Sequence, residues 1–168
     1  MGLDSYLSAK HYVSRWDYSK GGKRTERPEF AEAVKGLGDM AKYLGDSALG
    51  LETTFTVMYW RKVNAIHSWF VRNVQEGEDE CHEYYVSVDN LRELRDACGA
   101  VVRHDFNPAI VEEFLAPADG FFFGSTEVDD WYMDNITNTF NELNSIIAMA
   151  DEDAANGKYV TFSYRSSW

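Results

Sequence analysis

Side chains alternate between Leu51 and Tyr59, with Leu51, Thr53, Phe55, Val57 and Tyr59 on one face and Glu52, Thr54, Thr56 and Met58 on the other. That two-residue period predicts a strand. From Val63 the period changes. Val63, Ile66, Phe70 and Val74 recur at three- and four-residue steps, which predicts a helix packed on a core and stopping near Gly77. The same reasoning places a first strand over 3–13, where Tyr6, Ser8, Lys10 and Tyr12 alternate with Leu7, Ala9, His11 and Val13. Pro28 opens a helix at a favoured first-turn position, and Phe30, Val34, Leu37, Met40, Ala41 and Leu44 carry it to Gly45, with Gly36 and Gly38 weakening it.

Beyond the central junction, 82–86 reads as a short strand. Ser87 is placed to cap a helix whose stripe is Leu91, Leu94, Cys98, Val101 and Val102. A short helix follows from Pro108 to Leu115. The longest helix is expected from Val128 to about Ala150 on the stripe Tyr132, Ile136, Phe140, Leu143 and Ile147, continued by Met149 or Ala150, with Ser125 or Thr126 as its cap. A last strand runs over 158–165, with Tyr159, Thr161 and Ser163 opposite Val160, Phe162 and Tyr164. Strands and helices in this order predict a single α+β domain over 1–168, a small, mostly antiparallel sheet of about four strands packed with four or five helices.

Composition narrows what such a domain could do. With 45% hydrophobic residues and 15% aromatic residues, the chain can build a core. Its formal charge of −12 sets a field that repels nucleic acid and anionic membrane, so neither is expected as a direct partner. No apolar run reaches the roughly twenty residues of a membrane span, and the first residues lack the order of a signal peptide. A cytoplasmic location is therefore expected, with Cys81 and Cys98 as free thiols. Positive charge clusters only at 19–24, and 76–80 is an acidic loop; both read best as solvated turns. Trp168, a large hydrophobe, is expected to dock, since an indole left in water forgoes about 2 to 3 kcal/mol.

Candidate chemistry concentrates where the strand meets the helix. Tyr59, Trp60, Arg61, Lys62, Asn64, His67 and Trp69 interleave rings with cations and hydrogen-bonding groups, a mixture that a purely apolar core does not need. Rings plus cations suit a planar anionic ligand. The competing reading, that the rings are core and His67 a packing histidine, fits the pattern equally well. The glycine-bracketed loop 120–126 allows close backbone approach, and Phe122, Ser125 and Thr126 could close the same pocket. No HExxH, CxxC, GxSxG or P-loop pattern is present, so no cofactor, metal or catalytic residue is assigned. A metal or acid–base pair would need His67 to meet a carboxylate such as Asp129 or Asp130 across the fold.

Several blocks together, MGLD at 1–4, YWRK at 59–62 followed by NAIHSWF at 64–70, FFFGST at 121–126 and SSW at 166–168, resemble a family of small uncharacterised proteins encoded by bacteriophages and prophages. The resemblance implies a viral setting within a host cytoplasm and supplies no catalytic residue. Combined with the ring-and-cation candidate site, that setting leads to the expectation of an accessory, anti-defence protein that binds and sequesters a small anionic or nucleotide-like ligand. The alternative is an acidic protein–protein inhibitor of a host defence or nucleic-acid-handling complex, working through its negative surface. A host defence protein and a second copy of the chain, as a homo-oligomer, are the other candidate partners.

Overall fold

The computed structural model describes residues 2–19, 21, 23–120 and 123–168. In chain order these form β1 (Asp4–Ser14), β2 (Trp16–Asp17), β3 (Thr25–Glu26), α1 (Pro28–Gly36), a 3-10 helix (Gly38–Tyr43), β4 (Gly50–Arg61), α2 (Asn64–Asn73), β5 (Glu83–Val86), α3 (Val88–Arg103), α4 (Pro108–Phe114), α5 (Asp130–Ala155) and β6 (Val160–Ser167). The architecture is α+β, as the pattern predicts: an antiparallel four-stranded sheet of order β4-β1-β6-β5, and a ribbon of β2 and β3. Contacts gather into two compact units, 2–9 with 55–168 and 10–54.

In the larger unit the alternation of β1 buries Ser5, Leu7 and Ala9, and β6 buries Phe162, Ser163, Tyr164 and Ser166. The β5–β6 register sets Tyr84 opposite Tyr164 and Tyr85 opposite Ser163. One apolar cluster joins this side of the sheet to α2, α3, α4 and α5 through Ile66, Phe70, Leu91, Leu94, Val111, Ile136 and Leu143. Phe70 stacks on Tyr164 with ring centroids 3.9 Å apart. Ser87 caps α3 as expected, its Oγ accepting from the Asn90 amide while the Asn90 side chain accepts from the Ser87 amide. Cys98 is a buried member of the core and Cys81 is exposed, both as free thiols.

Three local expectations change. The helix from Pro28 stops at Gly36, because Gly38 takes a left-handed φ of 52° and the chain tightens into the 3-10 helix that leaves Met40 and Tyr43 exposed. Along β4 the alternation breaks, since Val57 and Met58 both pack on the core; Met58 and Trp60 are buried, whereas Phe55 and Tyr59 are half exposed. The cap of α5 is Asp129, whose carboxylate accepts from the Tyr132 amide, so Ser125 and Thr126 do not cap it. The smaller unit centres on Arg15, which bonds Glu26 at 2.9 Å and lies over the rings of Trp16 and buried Phe30. Of the basic loop 19–24, Lys20 and Gly22 lie outside the described residues, and Arg24 stacks on Trp16.

Candidate functional site

The chain passes from β4 into α2 in two residues. Lys62 makes the corner with φ 56°, a left-handed conformation that costs a non-glycine residue of order 1 kcal/mol, and its amide is tied to the Leu3 carbonyl at 2.7 Å. Val63 then occupies the capping position with no side-chain acceptor to offer. The first-turn amides of α2 consequently lack the capping bond that a Ser, Thr, Asp or Asn would give them.

Asn64, 3% exposed, fastens a second segment to this corner. Its Nδ2 donates to the carbonyls of Phe123 (3.2 Å) and Ser125 (2.7 Å), and its Oδ1 accepts from the Ala118 amide (3.1 Å). Gly124, at φ 92°, lies so close that an added Cβ would stand 3.2 Å from Lys62 Cβ. Between these segments is a cavity of about 180 Å³. Lys62, Val63, Asn64 and Ala65 line it on one side, Gly124 and Ser125 on the second, and Glu127, Asp129, Trp131 and Tyr132 on the third. Asp129 uses one carboxylate oxygen to cap α5 but keeps its charge, so the charged groups lining the cavity are Lys62, Glu127 and Asp129, with the exposed Trp131 ring beside them.

The junction 59–70 and the loop 120–126 therefore do meet, but few of the predicted residues share the cavity. Lys62, Asn64 and Ser125 do. Trp60 and Trp69 are core, 3% and 5% exposed, and cannot stack on a ligand; Trp60 Nε1 donates to Thr139 Oγ1 at 2.9 Å and Trp69 packs edge-on against Phe70. Tyr59 and Arg61 turn to β1, where both engage Asp4 and Tyr59 packs beside Tyr6. Thr126 is exposed and off the cavity lining. Phe122 lies outside the described residues. Sequence reasoning missed Trp131, although it falls off the stripe that begins at Tyr132, and a large ring off the stripe of a helix is bound for the surface.

His67 sits apart from the cavity, 1% exposed. Its Nδ1 is 2.8 Å from the Tyr164 hydroxyl, and Phe123 and Trp168 press on the ring with centroids 5.0 and 5.9 Å away. Trp168 is thus docked, though 37% exposed. The carboxylate that His67 meets is Asp79, 3.1 Å from Nε2, not Asp129 or Asp130. Burial lowers the His67 pKa, and the Asp79 charge pulls the other way. A histidine held below its unfolded value of about 6.5 is protonated first in the unfolded chain, so its contribution is intact above that pH and is lost as pH falls through it. Unfolding free energy measured by urea titration is expected to fall below pH ~6.5 by up to about 1.4 kcal/mol per pH unit, and His67→Gln is expected to flatten that limb. Stability that holds or rises on acidification would mean that Asp79 outweighs burial.

Fold and cavity together define an α+β protein with a small, mixed-charge cavity at a strand-to-helix corner. No protein-family model matches the chain, no curated protein matches it, and no solved structure matches it. Among the described residues no helix is long and apolar enough to cross a membrane.

Proposed function

We propose that this protein binds a small ligand carrying one anionic group, seated against Lys62 and the uncapped start of α2, with its ring or apolar part on Trp131. The observation that supports this reading is the conjunction of a cavity with a left-handed lysine and an uncapped helix start on the same wall. At about 180 Å³ the cavity would take one end of a nucleotide-like ligand, either the phosphate or the base, and leave the rest in solvent. Glu127 and Asp129 in the same lining disfavour a polyanion and favour a ligand that also carries a donor group. Together with the resemblance to phage proteins, this reading becomes sequestration of a small signal or metabolite in the host cytoplasm as an anti-defence device. The reading as an acidic inhibitor of a host complex draws its support from the exposed carboxylates Asp130, Asp134, Glu142, Asp151 and Glu152 along α5.

Native mass spectrometry of the protein purified from cells would reveal a retained ligand as a discrete added mass. Lys62→Gln is then expected to weaken that complex about 10- to 100-fold, the worth of one charged hydrogen bond, while the free protein unfolds within about 0.5 kcal/mol of the parent. Retention that is indifferent to Lys62→Gln and to Trp131→Ala would refute this cavity as the binding site.

A further inference from the structure

The charges around the Lys62 cavity are each placed by contacts of their own. Lys62 is held at its left-handed corner by the bond from its amide to the Leu3 carbonyl, and its side chain lies along Gly124, where an added Cβ would stand 3.6 Å from Lys62 Cδ. Asp129 is held by the bond that its Oδ1 accepts from the Tyr132 amide. Glu127 follows a turn in which its amide donates to Ser125 Oγ at 3.0 Å. All three line the same cavity, yet among the described residues no salt bridge joins Lys62 to either carboxylate. Opposite charges that line one small space without pairing leave both signs open to a third group.

The balance of those charges selects the ligand. One lysine against two carboxylates makes the lining net negative in a chain of formal charge −12, so a simple anion would gain Lys62 and be repelled by the rest. A ligand that carries an ammonium as well as a carboxylate meets both signs and brings no net charge into that field. Size narrows the class further, because about 180 Å³ lies below the range of about 300 to 1,000 Å³ that holds drug-sized ligands. A ligand held whole is therefore a small metabolite. An α-amino acid bears both charges on one carbon and is a compact zwitterion suited to such a space. Its side chain finds the exposed Trp131 ring, with buried Val63 and Ala65 in the same lining.

We propose that the ligand of this cavity is a free α-amino acid with an apolar or aromatic side chain, its carboxylate on Lys62, its ammonium toward Glu127 and Asp129, and its side chain on Trp131. The assignment rests on the anion seat proposed for the same cavity and names what occupies it.

Ligand-observed NMR titration with matched probes tests the proposal. L-phenylalanine is compared with 3-phenylpropionate, which lacks the ammonium, and with 2-phenylethylamine, which lacks the carboxylate; L-leucine is compared with 4-methylpentanoate and 3-methylbutylamine in the same way. The tighter of the two amino acids is expected to bind at least about tenfold better than either of its analogues, the worth of one charged hydrogen bond. In a protein carrying both Glu127→Gln and Asp129→Asn its margin over the acid that lacks the ammonium is expected to vanish. Asparagine caps a helix as well as aspartate does, so that protein should unfold as the parent does. A margin that survives in this variant, or an acid that binds the parent as tightly as the amino acid, overturns the assignment and leaves the anion seat standing. An amine that binds as tightly as the amino acid, with both indifferent to Lys62→Gln, overturns the anion seat and the assignment with it. If neither amino acid binds, the assignment is overturned, and the retained mass sought above decides the anion seat on its own.

Discussion

Asn64→Ala is expected to destabilise the protein by about 2 to 4 kcal/mol and to abolish the cavity with it. One side chain holds Ala118, Phe123 and Ser125 against the first turn of α2, and removing it strands two carbonyls and an amide. Each buried polar group left unpaired costs about 1 to 3 kcal/mol, and the partial exposure of this segment lets water recover some of it. Asn64→Asp separates clamp from volume: it keeps the bond from Ala118 and turns both donations into repulsions between a carboxylate and carbonyl oxygens. Guanidinium unfolding of the three proteins should therefore rank the parent well above both variants. A loss under about 0.5 kcal/mol for Asn64→Ala would mean that the 118–125 segment is held by other contacts, and the cavity wall would need another explanation.

Trp60→Ala carries the other large effect, about 3 to 5 kcal/mol, because it empties a buried site in the core and removes the donor to Thr139 Oγ1. Trp60→Phe should cost less, the residual loss being chiefly the Thr139 bond and a smaller volume. This pair of variants tests the reassignment of Trp60 from ligand stacking to core. Were Trp60→Ala to unfold at the parent's denaturant midpoint while losing a ligand, the indole would be part of a binding surface after all. Arg61→Ala, by contrast, removes an exposed pairing with Asp4 and should stay within about 0.5 kcal/mol.

Local pattern alone does not separate core tryptophans from ligand-stacking ones. Interleaved rings and cations between Tyr59 and Phe70 look like a site because they are adjacent along the chain, yet a strand sends neighbours to opposite faces and a helix spreads them through a full turn. Folding sent Tyr59 and Arg61 to Asp4, Trp60 and Trp69 to the core, His67 toward Tyr164 and Asp79, and left Lys62 and Asn64 at the cavity. The break of alternation at Val57 and Met58 shifted which face is buried, and no period count reveals such a break. The acidic loop 76–80 is exposed, as a solvated turn is, and nothing in the sequence points Asp79 toward a histidine twelve residues earlier.

Sequence by itself determined the elements whose signals are local: the alternation of β1 and β6, the Ser87 cap of α3, Pro28 at the start of α1 and Pro108 at the start of α4, and the stripe of α5 through Tyr132, Ile136 and Leu143. These depend on backbone sterics and on side chains within a few residues, so a single stretch contains the whole cause. Tertiary structure alone decided the sheet order β4-β1-β6-β5, the clamp from Asn64 to residues 118, 123 and 125, and the meeting of His67 with Asp79 and Tyr164. In the clamp and in the His67–Tyr164 pair, each partner is an ordinary residue in its own segment. It acquires a role only when burial removes water as the alternative partner, and that condition is set by the packing of the whole core.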